Sequence, residues 1–218
     1  MNFVEYSRCF FATAAALTLA RSVAHAQPHV TEPVVNLGGS SFVDGAGGPG
    51  VLGRATFTYS SARHLSDARG EVVPGGNSST VATMLAHVAY TAPWSWHRVH
   101  WGADVIVPVV SLDAQLGTIA RRTTGLGDLT LSPLIVQLPT TQLAGFTLLH
   151  KLDVGIIAPT GSYDRSSPIN LSRNAWSVNP FYAFTLMRGP WETSWRLHYL
   201  WSGSNTAPTQ AFGAARSI

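Results

Sequence analysis

The residues best placed to do chemistry are six charges set within otherwise weakly charged stretches: Asp104, Asp128, Lys151, Asp153, Glu192 and Arg196. Fixed charges of both signs on strands can set the electric field of a water-filled passage, or pair across a narrow one and hold it together. Other constellations invite a catalytic reading and fail on context. Ser132, His198 and Asp153 are the residue types of a nucleophilic triad, but no Gly-x-Ser-x-Gly elbow presents the serine. His87, His100, His150 and His198 lie in separate stretches without the short spacing of metal ligands. Gly45-Ala-Gly47-Gly-Pro-Gly50 matches a dinucleotide fingerprint by letters, yet a β-type Val51–Tyr59 follows where a helix is required. No enzyme, metal or cofactor is therefore expected.

The six charges are carried by ribbons. From Trp191 to Ser202 the chain alternates, with Trp191, Thr193, Trp195, Leu197, Tyr199 and Trp201 on one side and Glu192, Ser194, Arg196, His198, Leu200 and Ser202 on the other. Successive strand residues point to opposite faces, so one face is apolar and aromatic and the other mostly polar. Val99, Trp101, Ala103, Val105 and Val107 likewise oppose His100, Gly102, Asp104 and Ile106, and Leu129, Leu131 and Ile135 oppose Asp128, Thr130 and Ser132. Phe146, Leu148, Leu152, Val154 and Ile156 oppose Thr147, Lys151, Asp153 and Gly155; Trp176, Val178, Tyr182, Phe184 and Leu186 oppose Ser177, Asn179 and Thr185. All six charges fall on the polar side. His150 interrupts an apolar side, and nothing in the sequence explains it.

Seven strands are expected, at Val51–Ser60, Thr80–Tyr90, Val99–Val109, Gly127–Leu138, Gly145–Ile157, Ala175–Met187 and Trp191–Ser202. Short turns at Pro93–Trp96, Pro139–Gln142 and Arg188–Pro190 alternate with longer polar loops at Ser61–Ser79, Ser111–Thr124 and Pro159–Asn174. Trp94, Trp96, Trp191, Tyr199 and Trp201 lie near strand ends, where amphipathic rings suit a membrane interface. Charged residues are 11% of the chain, against about 25% in ordinary soluble domains, and no stretch after the leader is apolar enough for a membrane helix. Strands apolar on one face reconcile these facts, because each is only half apolar.

Residues 1–26 read as a signal peptide: Arg8 precedes an apolar run from Cys9 to Ala20, and Ala24-His25-Ala26 forms a small-x-small cleavage site. Cys9 is the only cysteine, so the mature chain has neither a disulfide framework nor a thiolate site. The formal charge of +3 falls to +2 once Arg8, Arg21 and Glu5 leave. No basic cluster forms, which excludes a nucleic-acid partner.

Three segments then carry a resemblance: Gly125-Leu-Gly-Asp-Leu-Thr-Leu-Ser-Pro133, Ala158-Pro-Thr-Gly-Ser-Tyr-Asp164 and Asn174-Ala-Trp-Ser-Val-Asn-Pro180. In that order they resemble the MetA-pathway phenol-degradation proteins, a family of outer-membrane transporters. The resemblance implies passage of small hydrophobic or aromatic compounds, and assigns no catalytic residue. Family members continue with further strands where Gly203–Ile218 here reads as loop; the odd strand number points the same way, although Val34–Phe42 offers an eighth strand. The expectation is an all-β fold: a signal peptide (1–26), then an antiparallel outer-membrane β-barrel domain (27–218) that is truncated at its C-terminal end. Its partners are outer-membrane lipid of a Gram-negative cell and small hydrophobic or aromatic solutes. The six charges are its lumen-lining candidates. A closed structural barrel or a lipid-modifying outer-membrane enzyme is the alternative.

Overall fold

A computed structural model describes residues 44–207. The leader, the candidate strand at Val34–Phe42 and the end of the chain after Ala207 lie outside the described residues. Among those described there is no helix. Ten strands form one antiparallel sheet: β1 (Gly50–Ala62), β2 (Ser78–Trp96), β3 (Val99–Leu116), β4 (Ile119–Leu126), β5 (Leu129–Gln137), β6 (Thr141–Leu143), β7 (Phe146–Ala158), β8 (Ser177–Arg188), β9 (Trp191–His198) and β10 (Trp201–Ser202).

The ten pieces are seven staves in the order of the chain. β4 and β5 both pair with β3, the first along Val109–Leu116 and the second along His100–Ile106, so they are one stave broken at Gly127-Asp128. β6 continues it past Pro139, which has no N–H to donate to the ladder. β9 and β10 share β8 in the same way. The sheet curls into a half-barrel with a concave and a convex face.

Three connections differ from those expected. β2 runs through Pro93 to Trp96, and the turn is His97-Arg98, both in the left-handed region (φ 49° and 66°) that a tight two-residue hairpin demands. Pro93 sits where the β2–β3 register shifts, between Thr91 and Ser95, so its missing N–H is tolerated. The next turn is at Ala144-Gly145 (φ 51° and 82°), not at Pro139–Gln142. The loop expected at Ser111–Thr124 is instead a hairpin extension of β3 and β4, turning at Gly117-Thr118. Its convex-side pairs are polar, with Arg122 donating to Asp113 (2.9 Å) and Thr124 to Ser111 (2.9 Å), while Leu112 and Ala114 face the concave side, so the alternation continues with the polar residues outward. The turn at Gly189-Pro190 is where expected.

Register distributes the side chains in an inverted way. The convex face exposes Phe57, Val88, Tyr90, Leu131, Leu152, Trp195 and Leu197. The concave face buries Thr185 and Ala183 (0% exposed), Ser177 (1%) and Asp153 (4%). Exposed rings gather at both ends: Trp94, Trp96 and Trp191 beside the short turns, Trp176, Tyr199 and Trp201 beside the long loops. One strand departs from the expected facing. A register shift between Leu131 and Leu134 turns Leu134 outward and Ile135 inward, because a bulge moves every later residue to the other face. His150, unexplained in sequence, stays on the convex face and bonds the Tyr182 hydroxyl through Nδ1 (2.8 Å).

Candidate functional site

Three polar assemblies occupy the concave face. The first is a ladder across neighbouring strands. Arg54 on β1 lies opposite His87 on β2, and its guanidinium is 3.4 Å from His87 Nδ1. His87 Nε2 is 3.0 Å from Asp104 Oδ2 on β3. A neutral ring protonated at Nε2 serves both neighbours, accepting from Arg54 and donating to Asp104. Asp104 lies opposite Ser132 on β5, and Asp153 stands on the same face of the next strand, β7. One oxygen each of Asp104 and Asp153 is buried without a hydrogen-bond partner among the described residues.

The second assembly is a strap. Asp44–Gly48 precedes β1 at one edge of the sheet, yet touches β5, β7, β8 and β9. Gly45 N–H donates to Thr185 Oγ1 (3.0 Å), and Gln137 Nε2 donates to the Gly45 carbonyl (3.1 Å). The Asp44 carboxylate accepts two bonds from Arg196, both 2.7 Å, and the same guanidinium lies 4.4 Å from the centre of the Phe181 ring. Only glycine permits this approach: a Cβ on Gly45 would collide with the Leu149 carbonyl and stand 2.6 Å from Thr185 N. The strap lies nearer the short turns than the ladder does.

The third assembly is a knot at the long-loop end, around Asp128. This residue is 3% exposed. Its Oδ1 accepts from Gly161 N–H (3.1 Å) and the Ser172 hydroxyl (2.5 Å), and its Oδ2 from Arg173 N–H (3.0 Å). Ser162 N–H adds a bond to the Leu126 carbonyl (2.8 Å). The segment 159–174 is thereby seated on the concave side of β4. Within it, the Ser166 hydroxyl and N–H donate to Asp164, which holds that carboxyl below the ordinary carboxylate range, helped by Arg121 4.0 Å away.

The charges expected to act together are thus distributed. Asp104 and Asp153 share the ladder; Arg196 belongs to the strap; Lys151 lies beside Asp153 on the same face, opposite Gln137 and Ala183. Glu192 is exposed near the Gly189-Pro190 turn, opposite Met187. Asp128 differs from expectation: loop donors take up both its oxygens, so it does not present an open carboxylate to the concave space. His198 of the imagined triad bonds Asn179 (3.2 Å), and no hydrogen bond joins it to Ser132 or Asp153 among the described residues. His87, His100 and His150 also have separate partners, and no group of three metal-binding side chains occurs among the described residues. Arg54 went unread in the sequence although it shares the alternation of its strand; Asp44 and Gln137 left no signal there at all.

A family model described as "Putative MetA-pathway of phenol degradation" matches residues 62–216. The chain belongs to that family. No curated protein matches it. Among solved structures, the crystal structure of the COG4313 outer membrane channel from Pseudomonas putida F1 is similar, with a TM-score of 0.66 at 20% identity. The match covers 81% of this chain and 63% of that one, so this chain spans less than two thirds of the channel's length. The half-barrel fold of this phenol-degradation family member is therefore similar to that of the outer-membrane channel. The three segments that carried the family resemblance in sequence meet at the Asp128 knot: the first supplies the carboxylate, the second Gly161, and the third follows directly on Ser172 and Arg173.

Proposed function

We propose that this protein forms part of the wall of an outer-membrane β-barrel channel that passes small hydrophobic or aromatic compounds, in association with aromatic degradation. The observation that carries the reading is the inversion of the sheet, apolar and exposed on the convex face, polar and buried on the concave one. An apolar convex face of this extent is unfavourable in water and favourable against lipid. Short turns at one end, long loops at the other and aromatic rings at both follow the layout of such barrels, with the short turns toward the periplasm. Residues 1–26 would direct export and be removed.

In this reading Asp104, Lys151, Asp153, Glu192 and Arg196 line the lumen. Asp104 is paired with His87 and Arg196 with Asp44, and Lys151, Asp153 and Glu192 are of mixed sign, leaving a wall that is polar without a strong field of one sign. Such a wall suits neutral solutes better than ions. The family description supports the link to phenols, and the channel named among solved structures supports the membrane setting.

The test is conductance and uptake of the full-length protein. Planar bilayers should show discrete conductance, and Lys151→Gln should shift its ion selectivity by removing one fixed charge. Deleting the gene should slow growth on a dilute aromatic carbon source, where outer-membrane entry limits flux. A protein that conducts nothing, in cells that grow normally without it, would instead be a closed structural barrel.

A further inference from the structure

We propose that Asp128 is a positioning residue for permeation: its carboxylate pins the 159–174 segment over the concave face at the long-loop end, and that segment limits the size of the solutes admitted. The proposal rests on the channel reading above.

The hold is specific. A chain with little charge has placed a carboxylate where it is 3% exposed and faces three donors, the Gly161 and Arg173 N–H groups and the Ser172 hydroxyl. A carboxylate has lone pairs for all three, and its charge strengthens each bond. These donors come from both ends of the segment, so a single side chain closes it into a loop. The direction of closure is set by register. Gly125 lies opposite Val110, on the same side of β3 as Asp104, and the Ser162 hydroxyl would be 2.6 Å from a Cβ on Gly125. The loop therefore folds inward. Gly161 is seated so closely that an added Cβ would stand 2.6 Å from the Gly127 carbonyl carbon and 2.9 Å from Asp128 N.

The test follows the loop and the passage separately, with the full-length protein in liposomes. Loop release is read by trypsin cleavage after Arg165, which is exposed; passage is read by swelling with neutral sugars of graded size. Asp128→Ala should speed cleavage about tenfold, the scale set by losing a hydrogen bond to a charged group. It should admit the larger sugars several-fold faster while the smallest sugar changes little. Asp128→Asn, which keeps one acceptor oxygen, should fall between. Gly161→Ala should reproduce both effects without altering the carboxylate, and carries the test if Asp128→Ala fails to give a folded, heat-modifiable band. Unchanged cleavage in folded variants would overturn the hold and leave the channel reading standing. Faster cleavage with an unchanged size limit would overturn the role in permeation. Faster cleavage with every sugar excluded, in wild type and variants alike, would overturn the channel reading and the size limit together.

Discussion

The convex and concave faces of this sheet are built from the same strands by opposite rules. On the convex face the side chains are large, apolar and nearly independent; the Tyr182 hydroxyl on His150 is a rare polar pairing there. On the concave face polar side chains are linked across strands, through Arg54–His87–Asp104, Thr185–Ser194 and Arg196–Asp44, among apolar ones such as Ile135, Ile157 and Phe181. One face depends on its solvent, the other on its partners. The difference teaches where tolerance lies. A convex position accepts any residue that lipid accepts, whereas a concave position accepts only what completes its neighbour's hydrogen bonds.

The largest effect should come from placing a charge on the wrong face. Leu152→Arg, on the convex side of β7, should destabilise the protein in bilayers by about 2–4 kcal/mol, the cost of an arginine near the membrane midplane. Urea titration in vesicles measures this; no loss would remove the distinction between the faces. Next is Arg196→Ala. Breaking a buried pair costs about 3–5 kcal/mol, but these side chains are 21% and 13% exposed, so about 1–3 kcal/mol is expected after allowing for solvent screening. A double-mutant cycle with Asp44→Ala should show positive coupling, and Ala46→Cys should label faster with a water-soluble maleimide once the strap is released. Tyr182→Phe should be smaller, about 1 kcal/mol, for one hydrogen bond on the convex face. The smallest effect concerns Asp164. Its carboxyl is held below the ordinary range by the Ser166 donors, so the order it gives the loop is complete above that range and is lost as pH falls through the lowered value. Trypsin is inactive there, so pepsin cleavage of the loop should rise at acid pH in wild type, and Asp164→Asn should flatten the rise.

Facing and strand number were legible in the sequence because both rest on a period of two. Seven alternating stretches became seven staves, and Trp195, Leu197 and Leu152 are exposed as their alternation required. The facing failed at Ile135, where a bulge resets the period; Pro133, with no N–H for the ladder, was the letter that marked it. The extension of β3 and β4 kept a period of two in Ser111–Leu116, but its outward face is polar, which reads as loop when an apolar outer face is expected. The ladder was half legible: Asp104 and Asp153 stood out as strand charges, while the place of Arg54 and His87 beside Asp104 depends on cross-strand register. The strap was illegible, since Asp44 and Arg196 are separated by 152 positions and nothing local in either predicts the other. The letters around Asp128 were recognisable as a motif, but its meaning, one acceptor gathering a loop, is a matter of three dimensions.

The strap also orders events in time. Every stave pairs with its neighbour in sequence, so the sheet can grow hairpin by hairpin with short closures. Asp44 and Gly45 have no place in that progression: their partners Arg196 and Thr185 do not exist as a surface until β8 and β9 have been laid down. The segment that precedes every described strand in the chain is thus fixed behind all of them. Until then it must stay clear of the growing sheet, and the interior it crosses is open for as long as assembly lasts.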